Sequence, residues 1–257
     1  MVDIHSHILW GIDDGAKTPE DTIEMAKAGV KNGINHVIAT PHHYDGTYMN
    51  PASVIHSRVK EANDLLKKNK INLMIHPGME LHLNGEISRD LEAVESTLVP
   101  LAGNSHYLLI ELPYDHVPRY TETLFFDIQL KGFIPIIAHP ERNVEIRDNP
   151  NLLYDLVKKG ALSQVTAASI AGLFGDTLQK LSLKLIKSNL VHFIASDAHN
   201  TKKRGLALRE AYQWIDKHLD ESYTDFFVDN AVALIEHKPI VIPEPNKPVR
   251  KKIFGLF

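Results

Sequence analysis

Short apolar runs alternate along this chain with longer stretches in which apolar residues recur every three or four positions. The runs cover residues 2–8, 35–40, 72–75, 107–112, 134–138, 162–166 and 191–195, and their β-branched content predicts strands. The longer stretches, 18–32, 51–70, 117–131 and 175–189 among them, carry the spacing of amphipathic helices. Thr18-Pro19-Glu20 is a helix start, a capping hydroxyl followed by proline at the first helical position. Gly33, Gly132 and Gly160 stand where helices should stop. Seven strands alternating with helices predict one α/β domain on a parallel sheet, either open and doubly wound or closed as a barrel.

The polar residues on these runs are sorted. His5 and His7 are two apart, so in an extended segment both project from one face. Asp197 and His199 repeat that spacing just past the seventh run. ATPHHYD follows the second run, HPGMEL the third, IELP ends the fourth and AHPER the fifth. After the first run, each cluster falls at the carboxyl end of its strand, where parallel α/β folds assemble their sites. His36, His106 and His192 stand at the amino ends of their runs and belong at the opposite end, as surface or packing residues. His56, His218 and His237 fall in helical stretches, where a solvated face is expected.

Composition narrows the chemistry. The 257 residues are 44% hydrophobic and 23% charged, with a net charge of −4, so there is no basic footprint for nucleic acid. No apolar run reaches the ~18–20 residues of a membrane span, and no signal-peptide pattern precedes Val2; the expected compartment is the cytoplasm. The chain has no cysteine, which removes disulfides, thiolate metal sites and cysteine nucleophiles together.

Each motif alone has a plain structural reading. Glu111 could salt-bridge an arginine, and AHPER could be a proline turn with a surface Glu-Arg pair. The coincidence is harder to dismiss: six strand ends carry His, Asp or Glu, and no strand start shows a comparable cluster. Imidazole and carboxylate donors together point to metal. The neighbours Asp13/Asp14 and His42/His43 cannot both aim inward from an extended backbone, so one of each pair supports the site or faces solvent. The candidates still exceed the three or four ligands of one ion, which argues for two or three ions bridged by a carboxylate, Glu80 being the natural bridge. Such clusters suit phosphoester hydrolysis. Arg142, directly after HPE, and Arg204, five residues after His199, offer the planar fork that fits phosphate; the plain alternative is surface charge.

The motifs HSHILWGIDDG, TPHH, GME, AHPER and SDAH, in this order and spacing, resemble those of the polymerase and histidinol phosphatase (PHP) superfamily. Within it they are similar to the manganese-dependent protein-tyrosine phosphatases of bacterial capsule and exopolysaccharide operons. The resemblance implies a distorted TIM-like barrel of seven parallel strands, a (β/α)7 fold over residues 1–240, and three divalent ions. Manganese is the implied ion, with iron or zinc suited to the same donors. On this sequence it implies His5, His7, Glu80 and Asp197 around one ion, Glu80, Glu111 and His139 around a second, and Asp14, His42 and His199 around a third. It assigns phosphate binding to Arg142 and Arg204. The sixth run ends in QVTAAS with no histidine or carboxylate, so Gln164 or Thr166 is expected only to support ligands.

The implied activity is phosphotyrosine hydrolysis by a metal-activated hydroxide attacking phosphorus in line. The tyrosyl leaving group has a conjugate pKa near ~10, so it departs with less protonation than an alkoxide needs. The implied substrate is a membrane-associated bacterial tyrosine kinase. Two alternatives remain: a small-molecule phosphatase of the histidinol-phosphate type, and a catalytically silent regulatory module, against which the intact ligand set argues. Residues 241–257, proline-rich and then basic and apolar, read as a frayed end, or else as a docking peptide or a weak contact with an anionic membrane surface.

Overall fold

The structure, a computed structural model, describes residues 1–91 and 97–248; the basic and apolar end, 249–257, lies outside the described residues. All seven apolar runs form strands: β1 (Val2–Ser6), β2 (His36–Ala39), β4 (Met74–Pro77), β6 (Tyr107–Glu111), β7 (Ile134–Ala138), β8 (Leu162–Thr166) and β9 (Phe193–Ala195). Two short strands, β3 (His42–His43) and β5 (Glu80–His82), bring the count among the described residues to nine rather than seven. They arise because the second and third strands are each broken. Pro41, which lacks an N–H for the ladder, separates β2 from β3. Gly78 and Met79 separate β4 from β5, and a Cβ at Gly78 would lie 2.7 Å from Ile38 Cγ2, so only glycine allows that bend.

The breaks distribute the strands over two parallel sheets, β1-β2-β4 and β3-β5-β6-β7-β8-β9. Because β3 continues β2 and β5 continues β4, the second sheet grows out of the carboxyl ends of the first. The remaining seam closes between β1 and the segment after β9. Ser6 bridges Ala198, Asp197 N–H donates to the His5 carbonyl at 2.9 Å, and His7 N–H donates to the Ala198 carbonyl at 2.8 Å. Below them the buried Asp3 carboxylate accepts from Ser196 N–H and Oγ, at 2.9 and 2.5 Å. Burial pushes that carboxyl up to about 6 against these bonds. The result is a distorted barrel of parallel strands.

Inside the barrel, Val2, Ile4, Leu109, Ile136, Leu162 and Phe193 form one apolar cluster, plugged at the amino end by Ala231 and Leu234 of α10 (Glu221–Ile235). The larger cluster lies between strands and outer helices. These helices are α1 (Pro19–Lys31), α2 (Ala52–Lys68), α4 (Thr121–Leu130), α6 (Asn151–Lys158), α8 (Asp176–Lys187) and α9 (Leu208–His218), with short α3 (Ile87–Asp90), α5 (Val144–Asp148) and α7 (Ala167–Ile170) at corners. Thr18 caps α1 in a reciprocal box with Asp21, worth about 1 kcal/mol, and Gly33 at φ +84° ends it. The stretch 117–131 is helical only from Thr121, and His237 follows α10 in a left-handed turn at φ +55° rather than in a helix. The segment after α10 is tied to the amino end: Val241 N–H donates to Asn230 Oδ1, Asn189 Nδ2 to the Glu244 carbonyl, and Asn246 N–H to the Ser188 carbonyl, at 2.8, 2.9 and 2.8 Å.

His192, at the foot of β9, is fully buried; its Nδ1 accepts from Ser163 N–H at 3.2 Å, and burial lowers the imidazole to about 4. Unfolding returns it to about 6.5, so the unfolded chain takes the proton first. This contribution to stability is complete above pH ~6.5 and is lost as pH falls towards ~4, on the order of 3 kcal/mol in all. Urea unfolding in chelator should therefore show His192→Asn, which keeps an acceptor for Ser163, declining less steeply over that window than the parent chain. Parallel declines would contradict the assignment.

Candidate metal centre

Every cluster that the sequence places past a strand end meets at the carboxyl rim. His5 lies on β1 and His7 just beyond it, both fully buried. The chain then folds back so tightly that a Cβ on Gly15 would lie 2.1 Å from the His7 carbonyl oxygen; only glycine passes there. This loop delivers Asp13 and Asp14 to opposite sides of His7. Asp13 Oδ2 sits 2.7 Å from His7 Nδ1, whereas Asp14 Oδ1 lies 3.1 Å from His199 Nε2 and 3.4 Å from His42 Nε2. His42 and Glu80 are register partners on β3 and β5, with His42 Nδ1 3.1 Å from Glu80 Oε2. His43 points away, its Nδ1 accepting from Asn50 N–H at 3.0 Å.

Glu80 stands at the middle with no exposed surface. Its Oε2 is 3.4 Å from both His5 Nε2 and His7 Nε2, and its Oε1 is 2.9 Å from His139 Nε2. His139 Nε2 lies 3.6 Å from Glu111 Oε1 on the other side. Asp197 Oδ1 approaches His5 and His7 Nε2 at 3.5 and 3.4 Å. His139 and Asp197 hold φ of +31° and +51°, a region that costs a residue with a side chain ~1–3 kcal/mol and that recurs at functional sites.

The donors suit divalent ions. Three groups, His7-Asp14-His42-His199, His5-His7-Glu80 and His42-Glu80-Glu111, each bring one ligand atom per residue within 4.8 Å of the others. A tetrahedral shell with metal–nitrogen distances of about 2.1 Å has edges of roughly 3.4 Å, the spacing seen around Glu80 Oε2. Glu80 Oε2, His42 Nδ1 and His199 Nε2 are buried and form no hydrogen bond, although they face other polar atoms. The outer nitrogens are engaged: His5 Nδ1 with Gln164 Oε1 at 2.8 Å, His7 Nδ1 with Asp13, and His199 Nδ1 with the Asp197 carbonyl at 3.0 Å. Such bonds fix the tautomer that aims Nε2 inward.

The electrostatics follow from the packing. Burial opposes charge on Glu80, but His5, His139 and His42 outweigh it and hold the carboxyl well below the usual range. Burial likewise opposes charge on His42, yet Asp14 and Glu80 hold its imidazole up at about 10. His7 is raised despite burial by Asp13, Asp197 and Glu80. Both arginines reach Asp197, and Arg204 reaches Asp14 as well: Arg142 Nη1 donates to Asp197 Oδ2 at 2.5 Å, and Arg204 Nη2 to Asp197 Oδ2 at 3.1 Å, with Arg204 Nη1 3.3 Å from Asp14 Oδ2.

Two supporting residues and one remote pair escape the sequence pattern. Glu141 is buried rather than paired at the surface: its Oε1 accepts from Thr166 N–H and Ser169 Oγ at 3.0 and 2.8 Å, fixing the turn that carries Arg142. His82 shares a face with Glu80 two residues on, a spacing visible in GMELH, and reaches Glu111 Oε2 at 3.4 Å. His76 pairs with His36 at 2.9 Å, so one histidine pair does exist away from the rim. His106, His56 and His218 are exposed.

Residues 1–236 match the family described as "Capsular polysaccharide synthesis, CpsB/CapC". The chain is 47% identical over 257 residues, the whole of both proteins, to the tyrosine-protein phosphatase YwqE of Bacillus subtilis. It is 28% identical to the tyrosine-protein phosphatase CpsB of Streptococcus pneumoniae, over 91% of this chain and 98% of that one. A crystal structure from work on YwqE and CpsB, described there as metal-dependent tyrosine phosphatases, superposes with a TM-score of 0.93 at 47% identity, covering 98% of this chain and 100% of the other. Dihydropyrimidinase from Brevibacillus agri shares the fold alone, with a TM-score of 0.53 at 11% identity over 97% of this chain and 72% of that one.

Because ligands must be deprotonated, the raised imidazoles of His5, His7 and His42 make ion binding release protons. Affinity for manganese should rise from pH 6 to 9. Titration calorimetry in two buffers of different ionisation enthalpy should give a net release of at least about one proton per molecule. A pH-independent affinity would contradict this electrostatic picture.

Proposed function

The chain belongs to the CpsB/CapC family, and from that membership and its buried ligand cluster we propose a metal-dependent protein-tyrosine phosphatase that works without a cysteine nucleophile. The carrying observation is the convergence of three ligand groups on Glu80 directly beside two arginines. Bound divalent ions supply Lewis acidity, lowering the pKa of water and neutralising phosphoryl charge. His5, His7, Glu80 and Asp197 are the proposed ligands of one ion, Glu80, Glu111 and His139 of a second, and Asp14, His42 and His199 of a third. Manganese is the proposed metal; iron and zinc fit the same nitrogen and oxygen donors.

Arg142 and Arg204 bind the phosphoryl oxygens. Both are only part exposed and open onto one cavity, so their forks reach a substrate while their stems stay packed. Asp13 and Gln164 keep His7 and His5 oriented. The proposed physiological substrate is a membrane-associated tyrosine kinase of the capsule or exopolysaccharide system, and the proposed compartment is the cytoplasm. Among the described residues, no helix is long and apolar enough to cross a membrane.

Chelator should abolish hydrolysis of a phosphotyrosyl peptide, and added manganese should restore it; full activity in protein shown metal-free by elemental analysis would refute the proposal. His139→Ala should remove activity while His106→Ala retains it, and equal losses in folded variants would misplace the site. Arg142→Ala and Arg204→Ala should lower turnover by a factor on the order of 10². Since guanidinium competes with metal for Asp197 and Asp14, both variants should keep their metal. Lysine should rescue only part, restoring charge without the planar fork. Wild-type turnover in Arg204→Ala would return that residue to surface charge.

A further inference from the structure

Two cavities adjoin the metal centre, and they differ in charge. One, of about 480 Å³, is lined by the carboxylates of Asp14, Asp21 and Glu24 together with Lys17, Lys202 and Lys203, so its charge is mixed. The other, of about 330 Å³, is lined by Tyr114, Arg142, Arg147, Phe174, Leu178 and Arg204. Its volume lies at the lower end of small-ligand pockets, which is the scale of one side chain rather than an extended ligand.

The walls of this second cavity come from neighbouring rim loops. Tyr114 follows β6, Arg142 and Arg147 follow β7, Phe174 follows β8, and Arg204 follows β9. Phe174 is half-buried against the outer core, so its ring is held, while Tyr114 is 67% exposed at the mouth. Arg147 differs from the other two arginines. Arg142 and Arg204 are tied to Asp197, whereas Arg147, at the C-terminal end of α5, has no carboxylate partner among the described residues. A chain of net charge −4 thus lines this cavity with three arginines and, among its lining residues, no carboxylate.

We infer that this cavity is the cradle of the substrate's phosphotyrosyl side chain, with Phe174 and Tyr114 flanking its ring and Arg147 pairing with an acidic residue next to it in the substrate peptide. The inference rests on the phosphatase reading above. Ring against ring favours an aryl over an alkyl phosphate, since offset or edge-on aromatic pairs add to simple burial. Arg147 lines the cavity without the tie to Asp197 that holds Arg142 and Arg204, so it reads the flank rather than the phosphoryl group. A guanidinium and a carboxylate there form a charge-assisted pair at a partly shielded mouth.

The test uses the full chain reconstituted with manganese and three substrates: a phosphotyrosyl peptide flanked by glutamates, the same peptide flanked by glutamines, and glycerol phosphate. Arg147→Ala should raise KM for the acidic peptide about tenfold with kcat within about twofold, and should shift KM for the glutamine peptide by less than about twofold. Arg147→Lys should recover most of the loss. Phe174→Leu keeps apolar packing without the ring; it should raise KM for both peptides about three- to fivefold and leave glycerol phosphate unaffected. Thermal melting verifies that each variant is folded. Equal KM changes on acidic and neutral peptides for Arg147→Ala, or an unchanged KM in Phe174→Leu, would overturn the cradle and leave the phosphatase reading standing. Failure of the parent chain to hydrolyse either peptide would instead overturn that reading.

Discussion

A carboxylate with no exposed surface sits at the centre of this protein, and much of the chain's architecture serves to make that tolerable. Glu80 lies within 3.4 Å of His5, His7 and His42 through one oxygen and 2.9 Å from His139 through the other. An unpaired ion in such a place costs several kcal/mol even after its surroundings relax. Protonated imidazoles offset this in the metal-free chain, and divalent ions offset it more completely. The backbone cooperates: β3 and β5 are only two and three residues long, but they put His42 and Glu80 side by side in register. Without the breaks at Pro41 and Gly78, these side chains would have to come from straight strands of the first sheet.

Asp197 ties this charge to the closure of the barrel. Its N–H completes the seam with His5, its side chain faces His5 and His7, and its outer oxygen holds both arginines. One left-handed residue therefore joins the fold, the proposed ligand set and the two arginines. The arginines occupy the outer oxygen of Asp197, a proposed metal ligand, and Arg204 reaches Asp14 as well. A phosphoryl group at the arginines offers them a second anion and so eases the competition between guanidinium and metal for that carboxylate.

Much of this was legible in the residues. Period-two histidines in DIHSHI, the carboxyl-end placement of TPHH, GMEL and AHPER, and the Thr18 cap all rest on local geometry that sequence spacing encodes directly. The split strands were not legible, because two or three residues carry no period. Glu141 and Asp3 escaped for a different reason: each satisfies backbone and hydroxyl donors from a segment distant in sequence, Thr166 and Ser169 in one case and Ser196 in the other. The His36–His76 pair needed the register of β2 against β4, which places Ile38 beside His76. Nor does α10 announce its role as a plug, since its apolar residues surround the helix rather than marking one stripe.

Strand β8 shows how such a barrel separates chemistry from selectivity. It is the strand whose end carries no histidine or carboxylate, yet it is buried throughout and contributes Gln164 to orient His5 and Thr166 N–H to hold Glu141. Segments that carry ligands have little freedom, because a metal centre tolerates displacements of only ~0.2 Å in a donor. The segment after β8 is under no such constraint. Beyond Ser169, which holds Glu141, it can change length and side chains without moving any proposed ligand, provided that Gln164 and Thr166 stay in the strand. Phe174 lies on that segment and lines the cavity together with the arginines. The shape of the leaving group is thus read by the part of the rim least bound to the metals, and a change there alters which ester fits while the hydrolytic centre remains intact.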